Sequence, residues 1–458
     1  MNPGNEKTSV DKILRSEFRA GLIILAVWAL LAELTVILKR AGVLFDVPDI
    51  FPLSVFSPAL NWQGLPYLAA FAALITVAVR FHKQCGPVVI LFIGTTIVLV
   101  GNLMQGGIDE AFYRPIYGAY HGLPAQYFHD ASRIPNWRDW LASFNQIQSH
   151  LQIHGRTHPP FAILVHYFLM GRKTVLFETI AFPFILFSCL SILWVWQIFR
   201  AAGIDKAKSN LLALFFACLP AVNIYSAVSL DAVIASFCAL FMLGIALLAT
   251  RGIGVRGVLC CAIGFTGANL LTFGGVFLAA FAVALGAWQV WRMRRWNILI
   301  ALAICLVFFA AILAAMLKFW HYDHICAFLT ASRLENTEGF LAFVRPADYV
   351  WTRLEDVCEI ALFLGIPTLA VLAGRRLNLT RAGFRDFPLA ATAAGVIVIV
   401  AMFLAGAYCT GETARACLFL YPLLVLPFAR ADERTLRALL IAAAAQTAIM
   451  QLFGDYFW

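Results

Sequence analysis

Apolar runs of roughly 18 residues or more recur along nearly the whole chain, and no other feature narrows the possible folds so far. In hydrocarbon a backbone must satisfy its own N–H and C=O groups, which a helix does within a single segment. Candidate spans fall at 20–38, 65–80, 86–104, 174–199, 209–225, 232–250, 257–273, 276–291, 298–317, 355–373, 387–407, 416–429 and 437–453, about thirteen crossings in all. The expected fold is an all-α, polytopic transmembrane bundle occupying 1–458 as one domain. Composition agrees, with 62% hydrophobic and 13% charged residues against about 25% charged in ordinary soluble domains. A soluble globular domain, a disordered chain, a coiled coil and a disulfide-stapled secreted domain are excluded.

The 34 Lys and Arg outnumber the 25 Asp and Glu, giving a net charge of +9. In a chain of this kind the excess marks cytoplasmic loops, not a nucleic-acid partner. Basic clusters at 7–19, 80–83, 200–208, 251–256, 292–295, 375–385 and 430–437 all reach the cytoplasm if the N-terminus lies there. That arrangement requires 161–170, about ten residues, to be a partial or re-entrant helix and not a crossing. Arg172 and Lys173 then face outward. Of the 11 cysteines, Cys189, Cys218, Cys238, Cys260, Cys261, Cys305 and Cys417 sit in apolar runs as small hydrophobes, while Cys326, Cys358 and Cys409 lie in or near outward loops, where pairing is open to them.

Polar residues with a chemical repertoire gather on the outward side, chiefly in 105–158 and 319–354. Within the first loop Trp137, Trp140, Leu141, Phe144, Ile147 and Leu151 recur at helical spacing, with Asn136 placed as an N-cap. This helix either lies flat at the membrane interface or packs on its own domain.

His154-Gly155-Arg156-Thr157-His158-Pro159-Pro160 stands where the loop re-enters the membrane. Two prolines start a helix without losing a needed amide donor, and they present Thr157 and His158 at its mouth. Upstream lie Asp109-Glu110 and Asp130, carboxylates suited to take a proton from an attacking hydroxyl. Asp231 opens an apolar helix, either as its N-cap or as a functional group at the boundary. Glu412 and Arg415 are three apart and share a helix face, where an Arg among free amides is suited to holding a phosphate. The chain has no Gly-rich phosphate loop, no internal repeat and no CxxC or Cys/His cluster. Acidic residues at an outward site suit a divalent cation, but no ligand spacing identifies one.

These residues resemble the GT-C superfamily of integral-membrane glycosyltransferases, which includes protein O-mannosyltransferases and aminoarabinose transferases. The likeness spans about 86–430: a long outward loop with an acidic motif, then a His-Pro-Pro helix start at His158 to Pro160. Leu219-Pro220 through Asp231 is similar to the second acidic position, and Gly411-Glu412-x-x-Arg415 through Pro422 looks like the closing motif of a bacterial Thr-His-Pro-Pro-Gly subgroup. Two departures are plain. Phe161 replaces the usual Gly, and the acidic motif follows a third span, so 1–85 adds helices to the core.

The resemblance implies a multi-pass inner-membrane enzyme with its site facing the periplasm and 105–158 as its catalytic loop. It would transfer a sugar, with inversion, from a polyprenyl-phosphate donor in the bilayer to a glycan, lipid or protein acceptor. Asp130 or Asp109, beside Glu110, would be the general base; Arg156, His158 and Arg415 would hold the phosphate, Asp231 and Glu412 would orient those cations or the sugar, and Thr157 would belong to the substrate-binding residues. Two other readings stay open: a transporter or flippase for a lipid-linked glycan, and an O-antigen-ligase-like transferase using a pyrophosphate-linked donor.

Overall fold

The computed structural model describes residues 3–456 apart from 46, 49, 55, 121–122, 172–176, 374–385 and 409–411, and omits the side chains of 3–17 and 119–124. Arg172 and Lys173, the basic cluster at 375–385, Cys409 and Gly411 therefore lie outside the described residues. The protein is an all-α helical membrane protein. Among the described residues eight helices are long and apolar enough to cross a membrane, and a bent pair makes up to nine. Pro87–Leu103, Pro160–Met170, Val255–Leu271 and Leu418–Arg430 are apolar but shorter.

Several expected spans are broken, each at a residue that interrupts the backbone ladder. The stretch expected at 209–225 divides into Lys206–Ala217 and Pro220–Tyr225. Pro220 lacks an N–H and pushes Leu219 into extended backbone at ψ 136°. The stretch at 355–373 becomes Pro346–Leu364 and Ile366–Ala373, bent by 98°. There Gly365 adopts φ +103°, a conformation closed to most side chains, and Pro367 follows. The stretch at 416–429 is a series of short turns punctuated by Pro422 and Pro427.

The Leu230–Arg251 helix is the centre of the bundle, 89% buried across its apolar window, and packs chiefly on Glu178–Ala201 and Val255–Leu271. At the other extreme the window within Phe18–Arg40 is 6% buried. It leaves Phe18, Leu22, Ile23 and Leu30 exposed, an apolar face suited to lipid.

Contacts sort the helix ends into two sets. At one end Lys83 meets Glu433 at 3.0 Å, Asn210 donates to the His82 carbonyl at 2.6 Å, and Asn297 donates to the Leu248 carbonyl at 3.3 Å. The described basic clusters that close these helices lie at this end. At the opposite end Tyr113 donates to Glu178 at 2.8 Å, Asn145 donates to the Asp323 carbonyl at 2.8 Å, and Arg114 meets Asp455 at 2.8 Å. The candidate functional residues all belong to this second end.

Candidate functional site

The Trp137–Ile147 helix has the expected cap: Asn136 Oδ1 accepts the Arg138 amide at 3.0 Å. Its apolar face turns into the protein. Phe144 meets Tyr322 edge-on at 5.8 Å between ring centroids, and Trp137 meets Trp320 at 6.4 Å. The loop at 105–158 therefore packs on the one at 319–354. Gln148 strengthens the join by donating to the carbonyls of Arg156 and Ala327, both at 2.9 Å.

This support holds the short Ile153–Thr157 helix that carries the histidine motif. From beneath, both carboxylate oxygens of Asp130 accept the Gln152 amide, at 3.1 and 3.3 Å. The approach is so close that a Cβ on Gly155 would stand 2.3 Å from Asp130 Oδ2. Burial raises the Asp130 carboxyl to about 6, against the lowering effect of the Gln152 amide and the charges of Arg133 and His129. Asp130 is thus an anchor behind the motif.

His158 Nδ1–H donates to the His154 carbonyl at 3.1 Å, because a carbonyl can only accept. The proton is fixed on Nδ1, so Nε2 keeps its lone pair. Burial lowers the titration of His158 below the usual histidine range, although Asp231 pulls it up, and lowers that of His154 further, aided by the Arg415 charge. Both imidazoles are neutral near pH 7. Buried Tyr127 gathers the rings: its centroid lies 5.6 Å from His154, 5.3 Å from His158 and 5.5 Å from His166.

Arg415 stands among these groups. Its Nε lies 3.3 Å from Asp231 Oδ2, and its Nη2 is paired with Glu412. Asp231 is available because Ser229, not Asp231, caps the helix, accepting the Ala232 amide at 3.1 Å. Side-chain exposures of 14% for Arg415, 25% for Asp231 and 26% for Glu412 keep the trio within reach of a ligand. Burial raises the Glu412 carboxyl, against the lowering pull of Arg415. Glu335, on the neighbouring His324–Glu335 helix, is likewise raised by burial and held down by Arg156 and the Thr157 hydroxyl.

The turn bearing Glu412 and Arg415 is itself clamped. Glu412 has left-handed backbone at φ 57°. Glu359 Oε2 accepts the amides of Thr413 at 2.7 Å and Ala414 at 3.4 Å, and Asp356 accepts the Thr413 hydroxyl. Arg353 pairs with Asp356 at 3.3 Å and donates to the carbonyl of Tyr408 at 2.9 Å.

The structure therefore brings together Arg156, Thr157, His158, Asp231, Glu412 and Arg415, with Asp130 behind them. The contacts of Asp109 and Glu110 lie elsewhere. Asp109 accepts the Tyr117 hydroxyl at 2.9 Å, and Glu110 pairs with Arg114 at 2.7 Å. The sequence reading assigned no role to Tyr127, His154, Glu335, Asp356 or Glu359. The available signal for the last two was a pair of acids inside an apolar run. Cys326 and Cys358 are free thiols, and Cys358 is buried. Among the described residues no group of three or more His, Cys, Asp or Glu is arranged to hold a metal ion. Comparison with protein families, with curated proteins and with solved structures finds no significant match.

Proposed function

We propose that this chain is a glycosyltransferase of the inner membrane, moving a sugar with inversion from a polyprenyl-phosphate carrier to an acceptor on the periplasmic face. The observation that carries the reading is Arg415, a mostly buried guanidinium with a narrow exposed edge, held by Asp231 and Glu412 beside two neutral histidines. A planar fork of donors matches the phosphate oxygens of a departing polyprenyl phosphate, and charge developing there is stabilised most where water is sparse. The lipid tail of such a donor accounts for an enzyme embedded in the bilayer, and the end carrying the basic clusters faces the cytoplasm.

In this mechanism the donor phosphate sits against Arg415, with Arg156 at its side, and the Nε2 lone pair of neutral His158 accepts a hydrogen bond from a substrate hydroxyl. An aspartate takes the proton from the acceptor hydroxyl as that oxygen attacks the anomeric carbon and the bond to phosphate breaks. Asp231 is the candidate that shares the cluster; Asp130 supports the motif from behind.

The test is consumption of polyprenyl-phosphate sugars, hexose and pentose, by membranes containing the full chain. Arg415→Ala and Asp231→Asn are expected to lower turnover by about 100-fold or more. Undiminished turnover in both variants, or no consumption by the native chain, overturns the reading. A lipid-linked glycan carrier is favoured by one observation, the 98° break at the end of the helix that carries buried Glu355 and Glu359. It predicts movement of the glycan across vesicles without cleavage of its phosphate bond. A pyrophosphate-linked donor distinguishes the ligase-like alternative.

A further inference from the structure

A cavity lies at the same end of the bundle, made from parts of the chain that the proposed transfer site does not use. Its volume is about 450 Å3, and Asn61, Trp62, Gln63, Glu110, Arg114 and Asp455 line it. This falls within the roughly 300–1,000 Å3 of small-ligand sites. None of its lining residues is among Tyr127, His158, Asp231, Glu412 and Arg415.

The walls are fixed before any ligand arrives. Ser57–Pro58 pairs antiparallel with Gly454–Asp455, and the Asn61 amides tie the rim to the last helix: backbone N donates to the Leu452 carbonyl at 2.9 Å, side-chain Nδ2 to the Gln451 carbonyl at 3.1 Å. Arg114 bridges Glu110 at 2.7 Å and Asp455 at 2.8 Å. Two carboxylates against one guanidinium leave the cavity net negative, which disfavours phosphate and other anions.

The remaining chemistry is specific. Side-chain amides offer donors and acceptors side by side, carboxylates accept paired hydroxyls, and Trp62, 68% exposed, supplies a flat apolar surface at the rim. A pyranose has this combination of faces, with hydroxyls at its edge and C–H groups on its flat side. The geometry points to a binding site for a neutral saccharide, separate from the Arg415 site and independent of the transfer reading.

Saturation-transfer NMR on the full chain, in nanodiscs prepared without sugar detergents, tests the assignment with glucose, galactose, mannose, N-acetylglucosamine, lactose and cellobiose as probes. Trp62 and Gln63 are exposed, so their substitution leaves the fold intact. At least one probe is expected to give a saturable signal that Trp62→Ala and Gln63→Ala each weaken about tenfold or more. Arg415→Ala and added inorganic phosphate leave that signal unchanged. The proposal is overturned if no probe binds, if both rim variants bind as the native chain does, if phosphate displaces the sugar, or if Arg415→Ala abolishes the signal.

Discussion

Glu359 Oε2 accepts the backbone amide of Thr413 at 2.7 Å, so a carboxylate on one segment sets the turn from which Arg415 projects on another. A buried amide left without its acceptor costs about 1–3 kcal/mol. Glu359→Ala is expected to lower turnover and donor affinity together by about tenfold or more, whereas Glu359→Gln, which keeps an acceptor oxygen, loses less. Equal behaviour of the two variants would mean that the turn is held by other contacts.

Asp130 gives a stability signature with a definite sign. Burial raises its carboxyl to about 6 from an ordinary 3.8. Well below the ordinary value both states are protonated. As pH rises the unfolded chain ionises first, and the folded chain loses relative stability until its own carboxyl ionises. Asp130→Asn removes this loss. The thermal midpoint of the variant minus that of the native chain should rise between about pH 4 and pH 6 and level off above. Turnover should stay within about fivefold of native, while Asp231→Asn loses it; the reverse pattern assigns the base to Asp130.

His158 separates scaffold from chemistry at its two nitrogens. Asn mimics the Nδ1 donor to the His154 carbonyl and Gln mimics the Nε2 position. His158→Asn is expected to keep the native thermal midpoint while losing turnover about 100-fold. His158→Gln loses the anchoring hydrogen bond, worth about 1 kcal/mol. Native turnover in His158→Asn would remove Nε2 from the mechanism.

Glu355 is fully buried, and neither carboxylate oxygen has a hydrogen-bond partner among the described residues. A buried polar group in this condition opposes folding by roughly 1–3 kcal/mol, so Glu355→Met is expected to stabilise the chain by that order. Turnover at the Arg415 site should be unchanged. A carrier that moves its cargo past Glu355 would instead lose transport in this variant and in Glu355→Gln, a difference that vesicle flux measures directly.

The helical skeleton was legible because lipid-facing segments are read by length and apolarity alone. The His154 to Pro160 motif, Asp231 and the Glu412–Arg415 pair were legible as well, since polar residues at apolar boundaries stand out. Chain breaks were less so: Pro220 and Gly365 lie within runs whose apolarity continues across the interruption. Asp356 and Glu359 were absorbed into an apolar span, and their role depends on where Thr413 falls in space. Tyr127 was hidden for a different reason, because its three histidine neighbours lie on other segments. Asp109 and Asp130 show the opposite limit. A carboxylate of the right type in the right loop does not reveal whether it meets a ligand, a tyrosine hydroxyl or a backbone amide.

The pairing of Ser57–Pro58 with Gly454–Asp455 bears on biogenesis. Asn61 and Gln451, hydrogen-bonded in the folded chain, are separated by 390 residues, so one wall of the saccharide cavity waits for that whole intervening length to be made before it meets the other. Premature release at the ribosome would leave many helices inserted and that cavity open on one side. Emergence of the Glu433–Phe453 helix is thus the event that completes this pairing, and any product released before it leaves the 57–58 edge unpaired.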